Sequence, residues 1–427
     1  MTATATIKAG WLADPALQQL LATLSANGEE ARIVGGAIRN TLLQRDVADI
    51  DVATTCLPEA TMARCSAAGF KTIPTGIDHG TVTVAAPADS RGRTYEVTTL
   101  RRDIETNGRH ARVLFGRDWT ADAERRDFTI NALFCDADGT VVDLVGGLPD
   151  LETRTLRFIG GAERRIEEDY LRILRFFRFF AWYGEGRPDG EGLRAATRLK
   201  GGLQHLSAER VWSELRKLLA APDPSRALLW MRQTGVLSAI LPESERWGID
   251  GIHGLITAER LEGWPADAML RLSAIVPPDA ARVTELSKRL RLSNLDRDRL
   301  LAFARAEPLK ATDGEAEARR KMYFEDRGGL VDRLKLMTAA AGARGHDEAA
   351  MTERAALSRL LRLATRFAPP EFPLSGEDLR AAGMTAGPEM GAALLAAKRL
   401  WVESGFVIGR DRLLEKVVSP AGSSPPL

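Results

Sequence analysis

Asp49-Ile50-Asp51 sets two carboxylates two residues apart. On a half-buried strand over Asp49–Ala53, residues i and i+2 share one face, so both acids project together. Like charges that close are costly until something neutralises them. Two carboxylates plus substrate phosphates form a typical oxygen set for Mg2+; a solvated strand end shows the same pattern. Gly35-Gly36-Ala37-Ile38-Arg39 lies between an apolar run, Ala31–Val34, and a helical stretch, Ile38–Gln44. It is neither G-x-G-x-x-G nor a P-loop, because Ala37 holds the third position and no G-K-[S/T] follows. Gly35 and Gly36 at a strand-to-helix turn still let phosphate approach the backbone and the helix N-terminus. Arg39, one turn in, is a forked phosphate donor; a plain tight turn is the other reading. Arg125-Arg126-Asp127, just before an apolar run, suits a sugar-phosphate contact or a charged helix start.

Glu168-Asp169-Tyr170-Leu171-Arg172 continues to Arg175 and Arg178. At about 100° per residue, with Asp169 at zero, Ile173, Leu174, Phe177, Phe180 and Ala181 fill one arc. Asp169, Arg172, Arg175 and Arg178 fall on the opposite half, together with Leu171, Phe176, Phe179 and Trp182. A helix apolar nearly all round is a buried helix. Arginines in it must line a cleft, meet anions, or snorkel to carboxylates of the same chain.

These residues need a scaffold. Over roughly the first 150 residues, short β-branched runs alternate with turns: Thr81–Ala85, Thr94–Leu100, Ile130–Cys135 and Thr140–Leu144. From Glu163 onward the periodicity is helical, with breaks at Gly184–Gly192 and Ala368–Pro373. The expected fold class is α+β: a small-sheet head at 1–150, then an all-α neck at 151–220, body at 221–370 and tail at 371–418. The terminal segment 419–427, SPAGSSPPL, is expected to be disordered.

Composition narrows the function class. The 427 residues carry 59 Lys+Arg against 58 Asp+Glu, a net charge of +1. That excludes a strongly basic nucleic-acid coat, so any RNA contact must use a local patch. Three cysteines without C-x-x-C or zinc spacing suit a reducing compartment. No run reaches the ~18 apolar residues of a membrane span, and MTATATIKAG does not read as a secretory leader. The expectation is a cytoplasmic protein with no membrane partner.

The ordered motifs resemble the class II branch of the nucleotidyltransferase superfamily, which holds bacterial CCA-adding enzymes and bacterial poly(A) polymerases. GGAIRN with DIDVAT is similar to the first family motif and RRDFTINA to the second. DLVGGLPDLETRTLR resembles the hinge motif, EDYLRILRFFR the nucleotide-selecting motif, and LSAERVWSEL the motif that braces it. Asn40 departs from the usual Asp, which should weaken a local hydrogen bond or cap. The resemblance implies a polymerase-β-like catalytic palm and two metal ions held by Asp49 and Asp51. It makes Glu96 the third active-site carboxylate and puts Gly36 and Arg39 at the triphosphate. Arg126 and Asp127 would lie on the ribose side, and Asp169 and Arg172 on the base, with Arg175 and Arg178 nearby. The implied reaction is attack of an RNA 3′-hydroxyl on the α-phosphate of CTP or ATP, releasing pyrophosphate. Cytosine and adenine both offer an amino donor beside a ring-nitrogen acceptor, matching an Asp acceptor and an Arg donor. Uracil and guanine present the opposite polarity.

On the same scaffold, poly(A) polymerases tend to carry a basic segment where this chain has PTGIDHGTVTV, so the reading favours CCA addition to tRNA. RDIETNGRHARVLFGRD (Arg102–Asp118) resembles the flexible loop of full CCA enzymes and disfavours a CC-only or A-only enzyme. The intact acids disfavour a non-catalytic RNA-binding protein. His346-Asp347 is the one His-Asp pair among five histidines, so an appended metal phosphohydrolase domain is excluded. FPLSGEDLRAAGMTAGPEMGAALLAAKRLW resembles the family's tail module, whose expected partner is the tRNA acceptor arm.

Overall fold

The structure is a computed structural model that describes residues 5–87, 93–107, 110–245, 250–345 and 347–418, without the side chains of 103–112. The 419–427 tail, His346, residues 108–109 of the 102–118 loop and the side chains of 103–112 lie outside the described residues. The chain divides into two compact units, Met1–Pro242 and Glu243–Leu427.

In chain order, the first unit starts with strand β1 (Ala5–Thr6), helix α1 (Pro15–Leu24), β2 (Ala31–Val34), α2 (Gly36–Leu42) and β3 (Asp51–Thr54). It continues with α3 (Pro58–Ala67), β4 (Lys71–Gly76), β5 (Thr81–Ala85), β6 (Thr94–Thr99), β7 (Arg101–Asn107) and β8 (His110–Phe115). Then come α4 (Trp119–Glu124), β9 (Leu133–Cys135), β10 (Thr140–Asp143), α5 (Gly147–Glu152) and α6 (Ala162–Glu168). Helices α7 (Leu171–Tyr183), α8 (Gly190–Leu199), α9 (Ala208–Leu219), α10 (Ser225–Gln233) and α11 (Val236–Ile240) complete it. One sheet runs β1-β10-β9-β2-β3-β6-β5-β4, and β7 pairs with β8 apart from it. The pairings in the large sheet are antiparallel except β3 with β6, whose parallel register sets Asp51 opposite Glu96. The head is therefore α+β, as its alternating runs indicate.

Two departures from the periodicity reading bear on the site. Strand β3 begins at Asp51, so Asp49 stands in the exposed segment leading into it rather than on the strand. The pairing Val34↔Asp51 is the last rung of the β2/β3 ladder, because Gly35 turns β2 away into α2. Helix α7 begins at Leu171, and Asp169 is extended (φ −157°, ψ 107°) at the end of α6. Placing Asp169 on the same helical wheel as Arg172 is thus wrong by one helix boundary.

The all-round burial expected of α7 holds. Leu171, Ile173, Leu174, Phe176, Phe177, Phe179 and Phe180 are buried, while Ala181 is half-buried. Seven apolar side chains of this kind contribute on the order of 10–20 kcal/mol of transfer free energy. That is ample to carry the arginine stems interleaved with them. Phe176 stacks on Phe158 with centroids 5.5 Å apart, and Phe128 lies 5.3 Å from Phe179, which ties α7 to the segments after α4 and α5. The DLVGG stretch is fixed by Asp143, whose carboxylate accepts from the N–H groups of Val145, Gly146, Gly147 and Leu148 at 3.2, 2.9, 2.9 and 2.8 Å. Gly147 has no room for a side chain there: a Cβ would stand 2.4 Å from the Thr129 carbonyl oxygen.

The second unit is helical throughout its described residues: α12 (Asp250–Glu262), α13 (Ala268–Ile275), α14 (Ala280–Arg289), α15 (Asn294–Arg305) and α16 (Glu315–Phe324), then α17 (Arg327–Ala343), α18 (Glu348–Arg366), α19 (Gly376–Ala381), α20 (Pro388–Glu403) and α21 (Arg410–Val418). One apolar cluster joins Met322, Leu330, Leu334, Leu357 and Leu360; another joins Leu374, Leu379, Trp401 and Leu413. No helix among the described residues is long and apolar enough to cross a membrane.

Candidate active site

A cleft of about 460 Å³ opens in the first unit where the β2/α2 turn, the start of β3, the Arg126–Asn131 segment and α7 meet. Gly35, Gly36, Arg39, Asp51, Arg126, Asp127, Asp169, Arg172 and Arg175 line it, so nine of the residues singled out from sequence converge. Asn131, Leu171, Phe179 and Arg210 complete the lining. Asp49, Glu96 and Arg178 are not part of that wall.

The turn at Gly35 explains the glycine pair. Gly35 has φ +74°, which disfavours any side chain, and a Cβ there would press on the Asn131 carbonyl at 3.3 Å. Gly36 then starts α2, and Arg39 points back into the cleft. The Arg39 guanidinium donates to Asn40 Oδ1 (2.9 Å from Nη2), to Asn131 Oδ1 and to the Tyr183 hydroxyl (2.8 Å), and it lies 4.0 Å from the Tyr183 ring centre. Asn40 accepts from Arg39 while its Nδ2 donates to the Asp46 carbonyl at 3.0 Å. An Asp there would keep the first bond, as a stronger charge-assisted one, and lose the second, so the amide exchanges some strength toward Arg39 for a bond to the Asp46 carbonyl.

The acids behave as repelling neighbours. Burial first, and then Glu96 and Asp49, push the Asp51 carboxyl above its usual range, while Arg126 pulls the other way. Among the described residues no three His, Cys, Asp or Glu side chains gather closely enough to form a metal cage of their own. A hard divalent ion needs only one or two carboxylates where phosphate oxygens complete its shell, and Asp51 with its acidic neighbours fits that arrangement.

Asp122 is the anchor that sequence reading missed. It is 1% exposed on α4 and accepts from Arg125 Nε at 2.7 Å and Arg126 Nη2 at 2.9 Å. Burial disfavours its ionised form, but Arg126 and Arg125 outweigh that and hold its pKa below the usual value. Asp127 is also buried, and its Oδ2 takes Arg175 Nε at 2.7 Å. Its Oδ1 takes the Phe128 N–H at 2.9 Å and Asn131 Nδ2 at 3.2 Å. Burial again opposes ionisation, and Arg175 with the Asn131 bond prevails, so Asp127 stays a carboxylate.

Both alternatives for the α7 arginines turn out true together. Arg172 donates from Nη1 to Glu168 (2.5 Å) and to the Arg165 carbonyl (2.7 Å); its Nε and Nη2 have no protein partner among the described residues. Arg175 serves Asp127, and Arg178 Nε bonds Glu214 on α9 at 2.5 Å. Asp169 Oδ2 is bound not by Arg172 but by Arg210 Nη2 at 2.6 Å, and its Oδ1 accepts the Leu171 N–H at 3.1 Å. Arg210 belongs to the bracing motif LSAERVWSEL, so its signal was present in the sequence without its partner. Arg165 closes the network, donating to Glu168 and to the carbonyls of Arg125 and Arg126.

Comparison with known proteins now bears on this cleft. Residues 31–157 match the Poly A polymerase head domain, and 189–247 match the probable RNA and SrmB- binding site of polymerase A. The mitochondrial CCA tRNA nucleotidyltransferase 1 of Mus musculus is 33% identical over 94% of this chain and 89% of its own length. The chain belongs to the tRNA nucleotidyltransferase/poly(A) polymerase family. The CCA-adding enzyme of Geobacillus stearothermophilus is 41% identical over 58% of each chain. A crystal structure of the Bacillus stearothermophilus CCA-adding enzyme in complex with CTP superposes with a TM-score of 0.70 at 28% identity, covering 94% of this chain and 96% of that one. Members of this family are nucleotidyltransferases that use divalent metal ions, which agrees with the acid set around Asp51.

Proposed function

We propose that this protein is a cytoplasmic CCA-adding enzyme: it builds or repairs the 3′-terminal CCA of tRNA from CTP and ATP, without a nucleic-acid template. The observation that carries this reading is one cleft holding a metal-type acid, Asp51, together with a braced acceptor and donor pair, Asp169 and Arg172. The names of the relatives support the same reading, and the three free, buried cysteines suit a reducing compartment. The finer division into head (1–150), neck (151–220), body (221–370) and tail (371–418) is kept as part of the proposal.

Asp49 and Asp51 would hold Mg2+, with Glu96 beside them. Mg2+ would supply acidity to the attacking hydroxyl and neutralise charge on the departing pyrophosphate. The RNA 3′-oxygen bonds to the α-phosphorus as the α–β bridging bond breaks, and the hydroxyl proton passes to a neighbouring carboxylate or water. The chain's own residues position the reactants. Gly35, Gly36 and Arg39 receive the triphosphate, Arg126 and Asp127 face the ribose, Arg175 stiffens the wall, and Arg178 braces α7 from behind it through Glu214. Asp169 accepts from the amino group of cytosine or adenine while Arg172 donates to the ring nitrogen. With uracil or guanine an acceptor meets an acceptor and a donor meets a donor. Because Arg210 and Glu168 already fix both side chains, little reorganisation is left for the nucleotide to drive.

The test is a tRNA lacking its 3′ end, given CTP alone, ATP alone, then both. Two C additions with CTP, followed by one A and a stop when ATP is present, are expected. Long A tracts would make the protein a poly(A) polymerase.

A further inference from the structure

Arg39 is 7% exposed, and the groups that accept from it are neutral. A buried guanidinium is costly unless its donors are placed. Of its five N–H groups, four have acceptors. Nε and Nη2 reach Asn40 Oδ1 at 3.2 and 2.9 Å, Nη2 also reaches the Tyr183 hydroxyl at 2.8 Å, and Nη1 reaches Asn131 Oδ1. One N–H on Nη1 is left for a ligand. Asn40 is the adjacent residue on α2 and Asn131 lies in the segment after α4. Tyr183 comes from farther off, as the last residue of α7.

The local sequence fixes Tyr183 in this place. Gly184 lets the chain leave the helix at once: it is extended (φ −82°, ψ 149°), and a Cβ would stand 2.3 Å from Phe180 Cδ2. The following N–H, of Glu185, donates to the Arg154 carbonyl at 3.1 Å. The Tyr183 ring packs 5.7 Å from that of Phe179, and the guanidinium carbons of Arg39 and Arg45 lie 4.0 and 5.0 Å from its centre. Ring and hydroxyl therefore act on one guanidinium. The face contact limits tilt of the Arg39 plane, and the hydroxyl bond limits its rotation. Tyr183 is not part of the cleft wall, so whatever it does for the nucleotide passes through Arg39.

We propose that Tyr183 is a positioning residue for the triphosphate. It holds Arg39 so that the remaining N–H and the charge meet the phosphates in one orientation. It also ties the end of α7 to α2, which keeps the helix carrying Arg172 in register with the turn that receives the triphosphate. The inference rests on the reading above that Arg39 receives the triphosphate.

The experiment measures incorporation of CTP and ATP on a tRNA lacking its 3′ end, for Y183F, Y183L, R39Q and R39Q/Y183F. Inhibition by inorganic tripolyphosphate is measured alongside, because that ion carries the phosphate arm without a base. Y183F keeps the ring and loses the hydroxyl. It should raise the KM for CTP and ATP about 3–10-fold, the net range of one intramolecular hydrogen bond. Its kcat, its KM for tRNA and its preference for CTP over UTP should stay at wild-type levels. The inhibition constant of tripolyphosphate should rise by the same factor as KM. Y183L also loses the ring contact and should raise KM about tenfold or more. In the R39Q background, Y183F should add nothing, since a residue acting through Arg39 has no independent effect there. Wild-type KM and tripolyphosphate inhibition in Y183F would overturn the proposal. So would equal losses with and without R39Q, or a Y183F that lowers only kcat and melting temperature, as packing alone predicts. R39Q with wild-type KM and inhibition would overturn the triphosphate reading of Arg39, and this inference with it. A raised KM in R39Q but not in Y183F would leave that reading standing and remove the inference alone.

Discussion

Base choice is where the geometry makes its sharpest prediction, and Asp169→Ala is the perturbation that isolates it. In the structure Asp169 presents its carboxylate to the cleft from an extended residue, held by Arg210 at 2.6 Å and by the Leu171 N–H at 3.1 Å. Arg172 stands three residues on, held from Nη1 by Glu168. If Asp169 and Arg172 read the base as proposed, a uracil or guanine misaligns with both groups, and each mismatch costs about 1–3 kcal/mol by analogy with bidentate base readout. Removing Asp169 deletes one of the two mismatches. Discrimination between CTP and UTP should therefore fall by a factor of about 5–150, since 1.4 kcal/mol is tenfold. The assay is kcat/KM for single-nucleotide incorporation of each triphosphate. Arg210 loses its partner in this variant, so Arg210→Met is the control. It leaves the Asp169 acceptor in place but unsteadied, and should lower incorporation of CTP and ATP with a smaller change in their preference over UTP. If Asp169→Ala keeps wild-type discrimination against UTP while merely turning over more slowly, the base-reading role is wrong.

Asp51→Asn should abolish metal-dependent incorporation yet raise the melting temperature of the metal-free protein at neutral pH. Burial and then Glu96 raise the folded pKa of Asp51, so its ionised form is the strained one. The stability it contributes is complete below the ordinary carboxylate value near 3.9 and is lost as pH rises through the raised folded value. Differential scanning fluorimetry across pH 4–8, with and without Mg2+, checks both the sign and the loss of metal stabilisation. Arg165→Ala should cost about 3 kcal/mol in urea denaturation, because it strips partners from Glu168 and from two backbone carbonyls in a buried setting. At matched folded fraction it should also relax selectivity, since Glu168 steadies Arg172.

The α+β head and helical body could be read from period-2 runs giving way to period-3.6 runs, because both signals are local. The cleft residues were legible as local motifs: Gly35-Gly36 and Arg126-Asp127 sit at boundaries that the sequence marks, whereas Asp51 and Asp169-Arg172 stood out by charge and spacing alone. Their partners were not. Asp122 looks like an ordinary surface acid on a short helix, and only the closure of α4 against β7 buries it to 1%. Arg210 is 41 residues from the Asp169 it holds, and Glu214 is 36 from Arg178. Such separations carry no periodicity. The helix-wheel reading of Asp169 failed for a different reason: continuous helical periodicity from Glu163 to Arg178 hides the break at Asp169, where the chain turns extended so that the carboxylate and Arg172 come from different segments.

Those hidden partners change what the arginines in the cleft can do. Arg126 is matched by Asp122, Arg172 by Glu168, Arg175 by Asp127 and Arg210 by Asp169, all through short hydrogen bonds. Arg39 is held by neutral groups instead, Asn40, Asn131 and Tyr183. The cleft that looks strongly basic in sequence is thus largely offset by carboxylates, although Asp122 and Glu168 are each shared by more than one arginine, and Arg126 is the cation that acts on Asp51. A nucleoside triphosphate brings several negative charges, and Arg39 alone cannot offset them next to a carboxylate. Divalent cations arriving with the triphosphate would supply the remaining neutralisation. The arginines, already committed to carboxylates, act as fixed hydrogen-bond donors whose directions are set before the nucleotide enters. A site built this way trades indiscriminate attraction for orientation, which is what selection of a base without a template requires.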